Sequence, residues 1–146
     1  MSQDAIDNTA QAGLLPALHH LQEQLGYIPD HAIAELARAH NVSRAEVVGV
    51  IGFYHDFRAT PPGRHRLQVC RAESCQAMGG DALATHAGAR LGVAFGATTA
   101  DGAVTLEAAY CLGNCACSPA VMLDDKLYGR VSAARLDALL VEAGAR

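Results

Sequence analysis

The sequence predicts an α+β fold in two parts: a small N-terminal three-helix unit, then a mixed β-sheet with flanking helices. Three observations predict it. Leu14, Leu18, Leu21 and Leu25 recur at helical steps of four, three and four. Alternation of apolar and polar residues begins only later, at 65–70 and 104–110. Between these patterns, Thr60-Pro61-Pro62-Gly63 breaks both and marks the boundary.

Residues 1–11 read as a polar, loose tail, which leaves 12–60 for the helical unit and 64–146 for the sheet domain. The leucine helix stops at Gly26, and Tyr27-Ile28-Pro29 forms an extended connector. Asp30 stands where an N-cap belongs, before the alanine-rich stretch 31–40, and Asn41 can close that helix. Ser43 and Glu46 have the spacing of a capping box, in which hydroxyl and carboxylate satisfy orphan N–H groups at a helix start. Val47, Val50, Ile51 and Tyr54 follow on one face, with Phe53 and Phe57 widening it; this apolar face is expected to be core first and docking surface second.

After the break, Leu67 and Val69 alternate with Arg66 and Gln68 in a strand over 65–70 that ends at Cys70. A helix is expected over 78–91, with Leu83, Ala87 and Leu91 at steps of four, although glycines at 79, 80 and 88 work against it. A second strand over 104–110 ends at Cys111. A third covers 120–123, Asp124-Asp125 makes a turn, and a fourth covers 126–131. Ser132 caps a final helix that turns Leu136, Leu139 and Leu140 toward the core. This order of strands and helices fits a mixed sheet with helices on its faces.

Composition narrows the function. Hydrophobic residues make up 51% of the 146, enough for a globular core. The net charge of -4 offers no concentrated basic face for nucleic acid. The longest apolar run, 47–54, is far too short to cross a membrane. The start, MSQDAIDNTAQAG, has neither the basic nor the apolar part of a signal peptide, so a cytoplasmic chain is expected. Five cysteines in such a chain point to metal binding or redox chemistry rather than to a disulfide framework.

Four of the cysteines lie at predicted strand ends or in the loops after them. Cys70 and Cys75 form C-x4-C; Cys111 and Cys115 form C-x3-C. Strand ends of an open sheet gather at one edge, where ligand sites form. Three readings follow. A structural zinc site takes four thiolates, but usually from pairs only two residues apart. A 2Fe–2S cluster takes two thiolates per iron and accepts longer, glycine-containing loops. Gly113-Asn114 suits such a loop: both residues tolerate left-handed backbone, and a turning chain can aim N–H groups at sulfur. Reduced or redox-active thiols are the third reading. Cys117, in C-x-C with Cys115, is read as a small packed residue or a thiol beside the centre, although either cysteine can complete a tetrahedral metal. Pro119 stiffens the entry to the next strand, its peptide either cis or trans.

No Ser–His–acid set, phosphate loop or dinucleotide fingerprint is present. The seven histidines are scattered and none lies in the cysteine loops. An all-thiolate 2Fe–2S centre sits at low potential, about -400 mV, where histidine ligation raises it. Arg71, beside Cys70, can offset charge at the centre or contact a partner; a solvated surface arginine is the plain alternative.

Taken together these residues resemble the thioredoxin-like 2Fe–2S ferredoxin family. It includes the small flavin-side subunit of respiratory complex I, its counterparts in NAD-linked hydrogenases and the gamma subunits of NAD-dependent formate dehydrogenases. The C-x4-C and C-x3-C pattern is complete. Gly26-Tyr27-Ile28-Pro29, the stretch 48–54, and Pro119 four residues after Cys115 match as well. The resemblance runs from about Leu14 onward. It implies an α/β thioredoxin-like second domain and one 2Fe–2S cluster. It implies Cys70, Cys75, Cys111 and Cys115 as ligands, with Cys117 outside the set. The C-x-x-C of true thioredoxins is absent, so thiol–disulfide exchange is not expected. The loop CRAESCQAMGG, the short tail and the compact length look most like the formate dehydrogenase gamma subunits. The implied role is electron transfer without an active site of its own. The implied partners are a flavin- and NAD-binding subunit and, through it, a molybdenum-containing formate dehydrogenase subunit. The complex I or hydrogenase subunit is the alternative, and a zinc-stabilised binding module a more remote one.

Overall fold

The computed structural model describes residues 13–144, so the tail expected over 1–11 lies outside the described residues. The chain divides into two units, Met1–Pro61 and Pro62–Arg146.

The first unit holds α1 (Leu14–Leu25), α2 (Asp30–Ala39) and α3 (Arg44–Phe53). Helix α1 ends because Gly26 adopts φ 80°, which only glycine takes without a Cβ penalty, and returns its N–H to the Gln22 carbonyl. Leu18, Leu21, Ile28, Ile33, Leu36, Val47 and Phe57 form the core of this unit. Asp30 lies inside the first turn of α2 rather than before it. Pro29 holds the N-cap position without a side-chain bond, and Asp30 acts through its charge at the positive helix end. Both halves of the capping box on α3 are present. Ser43 Oγ accepts from the Glu46 N–H at 3.2 Å, and Glu46 Oε2 accepts from the Ser43 N–H at 2.7 Å. The Ser43 backbone bond, then its hydroxyl, hold the Glu46 carboxyl below its ordinary range.

The aromatic face of α3 is a correction. Of Phe53, Tyr54 and Phe57, only Phe57 is buried; Phe53 is 73% exposed and Tyr54 41%. Apolar residues surround α3 on all sides, whereas a surface helix can bury one stripe. Val47 occupies that stripe, and Phe57 reaches the core from beyond the helix end.

The second unit holds β1 (His65–Cys70), α4 (Glu73–Ala77), α5 (Gly80–Leu91), β2 (Val104–Ala109), β3 (Val121–Leu123), β4 (Lys126–Tyr128) and α6 (Ala133–Glu142). The sheet order is β2-β1-β3-β4. Strands β1 and β2 are parallel, in register from His65 opposite Val104 to Cys70 opposite Ala109. Strand β3 runs antiparallel to β1, and β4 antiparallel to β3. This mixed sheet, with α5 packed on β1, β2 and α6, is the thioredoxin-like α+β architecture that the sequence predicts. Leu67, Val69, Leu106, Val121, Leu136 and Leu140 sit at the centre of its core.

The helix expected over 78–91 is α5, which starts two residues later at Gly80, and a separate short helix, α4, precedes it. Gly79 takes φ 90° between them. A Cβ on Gly80 would stand 2.6 Å from the Cys75 carbonyl oxygen, so glycine lets α5 start hard against α4. The third and fourth strands are shorter than expected. Arg130 and Val131 give their N–H groups to the carbonyls of Cys117 and Pro119, which draws the chain off the ladder after Tyr128. Asp124 and Asp125, at φ 50° and 64°, make the tight hairpin turn. Ser132 caps α6 as expected, accepting from the Arg135 N–H at 3.2 Å. No helix among the described residues is long and apolar enough to cross a membrane.

Leu106, fully buried on β2, anchors this core. Leu106→Ala is expected to cost about 2–5 kcal/mol through lost transfer energy and a residual cavity. Urea denaturation should show a lower midpoint at an unchanged slope.

Candidate metal centre

Because β1 and β2 are parallel, their C-terminal ends lie at one edge of the sheet. Cys70 closes β1 opposite Ala109, and the Arg71 N–H donates to the Ala109 carbonyl at 2.7 Å. Cys111 follows two residues after Ala109. The loop after Cys70 turns at once: Gln76 donates its backbone N–H to the Ala72 carbonyl and its side-chain amide to the Arg71 carbonyl, at 3.0 and 3.1 Å. This turn folds α4 back and places Cys75 beside Cys70. The loop after β2 turns at Gly113, φ 75°, and ends in a 3-10 turn over Cys115–Cys117.

The four sequence-predicted thiols therefore meet as two pairs. Cys70 and Cys75 lie close enough to shift each other's ionisation. Cys115 is influenced in the same way by Cys111 and, through charge, by Cys75 and Cys70. Among the described residues, no three of His, Cys, Asp and Glu gather around one point as a single ion would require. The pairs differ in depth: Cys70 and Cys75 are 3% and 2% exposed and pack with Ala120, whereas Cys111 and Cys115 are exposed.

The electrostatics follow from that depth. Burial pushes the Cys70 thiol up, and the backbone N–H groups of Ala72 and Leu112 offset only part of this. Burial also pushes at Cys75, but bonds from Ser118, Cys70 and the Ala120 backbone outweigh it and leave this thiol below its ordinary value. At Cys115 the bond to Cys111, then the charge on Cys111, raise the thiol. Charge on the neighbouring sulfurs opposes ionisation at Cys115, and a bound cationic centre would relieve that opposition. The donor set fits a 2Fe–2S cluster: four thiols, two for each iron, with the Gly113 N–H donating to Cys111 Sγ at 3.4 Å. The Arg71 guanidinium pairs with Asp81 at 3.3 Å and lies 5.4 Å from the Phe95 ring centre.

Of the two residues in this loop that tolerate left-handed backbone, Gly113 adopts it and Asn114 does not, at φ -112°. Cys111 takes the second unusual conformation, φ 140°, which side-chain-bearing residues rarely adopt. Cys117 is half-buried and packs on glycine: a Cβ on Gly129 would stand 2.6 Å from the Cys117 Cβ and 2.7 Å from Asn114 Nδ2. The peptide between Ser118 and Pro119 is cis. The sequence reading missed Ser74 and Ser118. Their hydroxyls lie 2.9 Å apart between the two cysteine loops, and nothing in serine spacing signals such a meeting. Both line an open cleft of about 750 Å³ next to Cys115.

The Thioredoxin-like [2Fe-2S] ferredoxin family matches residues 3–143. One subunit of the NADH-quinone oxidoreductase of Rhizobium meliloti is 40% identical over 130 residues, covering 89% of this chain and 77% of that protein. NADP-reducing hydrogenase subunit HndA of Solidesulfovibrio fructosivorans is 32% identical, covering 88% of this chain and 75% of its own length. A crystal structure of an NAD+-reducing [NiFe]-hydrogenase in the air-oxidized state superposes with a TM-score of 0.76 at 32% identity. That match covers 91% of this chain but only 23% of the hydrogenase chain. The chain belongs to the thioredoxin-like 2Fe–2S ferredoxin family, and one 2Fe–2S cluster is its cofactor. It is an electron carrier of the kind found as a subunit of oxidoreductase complexes.

The difference in depth between the pairs predicts their reactivity. In cluster-free protein, iodoacetamide is expected to modify Cys111 and Cys115 at least about tenfold faster than Cys70 and Cys75. Peptide mass spectrometry at timed quenches gives the four rates.

Proposed function

We propose that Cys70, Cys75, Cys111 and Cys115 are the cluster ligands, and that the chain exchanges single electrons with a flavin in a partner subunit of an NAD-dependent formate dehydrogenase. The observation that carries the ligand assignment is the meeting of two thiol pairs at one sheet edge. The buried pair seats the centre, and the exposed pair keeps it near the surface, where an electron can leave. Backbone N–H groups stabilise charge on the sulfurs. When bound, the cluster supplies one-electron chemistry at low potential, about -400 mV with thiolate ligands alone. This matches the reducing equivalents that formate releases and NAD accepts.

The chain's own residues hold and tune this centre; they provide no acid, base or nucleophile for a substrate. Formate oxidation belongs to a molybdenum-containing subunit, and hydride transfer to NAD belongs to the flavin subunit. The loop Cys70-Arg71-Ala72-Glu73-Ser74-Cys75, continuing through Gln76 to Gly80, supports formate dehydrogenase as the parent enzyme. A second reading, the equivalent subunit of an NADH:quinone oxidoreductase or an NAD-linked hydrogenase, is favoured by the names of the relatives. Either parent places the chain in the cytoplasm, outside the bilayer.

Cys115→Ser is expected to lose most of the cluster and Cys117→Ser to retain it, read by visible absorbance and iron content. Equal loss in both would break the ligand assignment. The complex isolated from its native source is expected to reduce NAD with formate. NAD reduction with hydrogen, or NADH oxidation by a quinone, would assign the second reading instead.

A further inference from the structure

We propose that Ser118 tunes the reduction potential of the centre through a hydrogen bond to the Cys75 sulfur, and that Ser74 frees its hydroxyl to do so. The proposal rests on Cys75 being a cluster ligand. Ser118 is 8% exposed, one of the few buried polar side chains among the described residues. The thiol of Cys75 donates to Ser118 Oγ at 3.5 Å. Ser118 Oγ donates in turn to the Cys115 carbonyl at 2.9 Å. Ser74 Oγ lies 3.2 Å from that same carbonyl and 2.9 Å from Ser118 Oγ. Two hydroxyls thus compete for one carbonyl while the thiol uses its own proton.

Ligation removes the thiol proton. The Cys75 sulfur then changes from donor to acceptor, and Ser118 Oγ is already within reach of it. Ser74 can hold the Cys115 carbonyl alone, so the Ser118 hydroxyl can rotate onto the sulfur and leave no acceptor unpaired. The change is a rotation of O–H bonds and moves no heavy atom. When the centre accepts one electron, no covalent bond forms or breaks and Ser118 keeps its proton. The added negative charge spreads onto the thiolate sulfurs, where a buried donor stabilises it more than it stabilises the oxidised state. The hydroxyl therefore raises the potential. Ser74 is a positioning residue: without it, the Cys115 carbonyl claims the Ser118 proton. The two loops are thereby linked, since Ser74 and Cys75 belong to one and Cys115 and Ser118 to the other.

The test is an EPR-monitored redox titration of the cluster-loaded chain. Ser118→Ala is expected to make reduction about tenfold less favourable, about 59 mV for one electron. Ser74→Ala should shift the potential in the same direction. The double variant should fall no further than Ser118→Ala, because both changes remove one hydrogen bond. An unchanged potential in Ser118→Ala, or additive falls in the double variant, overturns the proposal. If Ser118→Ala does not load, Ser74→Ala decides: a lowered potential supports the proposal and an unchanged one overturns it. A wild-type EPR signal and potential in Cys75→Ser would instead remove the ligand assignment beneath it.

Discussion

The parallel pairing of β1 and β2 is the constraint on which the site depends. Parallel strands end at the same edge, and the register that sets Cys70 opposite Ala109 fixes how far the two loops are offset. Each loop then needs only to turn back on itself. The first does so through α4, and the second through Gly113 and the 3-10 turn at Cys115. An antiparallel pair would carry Cys70 and Cys111 to opposite edges, and no loop of this length would reunite them. The apolar core beneath β1 and β2 thus holds the site in register as well as stabilising the fold.

On this frame the loops are built by exclusion of side chains. Gly80 admits the Cys75 carbonyl, and Gly129 admits the Cys117 turn; in each case a Cβ would come within 2.6 Å of its neighbour. Cys117 Cβ stands where a side chain on residue 129 would otherwise lie. Between the loops, Ser74 and Ser118 supply a hydroxyl pair that joins them. The sulfur environment is asymmetric as a result. Cys75 is lowered by its bonds, Cys70 is raised by burial, and the outer pair is exposed.

Much of this was legible in the sequence because it rests on local chemistry. Helix α1 ends at Gly26 and α3 opens on Ser43 and Glu46, each at a residue whose type dictates the event, and the alternation of β1 runs to Cys70. What escaped depends on where backbone carbonyls of other loops and turns come to lie. The break before Gly80 is set by the carbonyl of Cys75, and the early end of β4 by carbonyls at Cys117 and Pro119. The exposure of Phe53 could not be read from a helix that is apolar all round. At the site, the cysteines announced themselves by spacing, whereas Ser118 gains its importance only once two loops meet.

The central claim is that four thiolates hold a dinuclear cluster as two pairs. Its most direct measurement is the metal and sulfide content of the purified chain, joined to EPR after reduction with dithionite. Iron and acid-labile sulfide are expected in equal amounts, about two of each per chain, with a paramagnetic signal that appears on reduction by one electron. A colourless protein with zinc, no sulfide and no signal on reduction would contradict the claim.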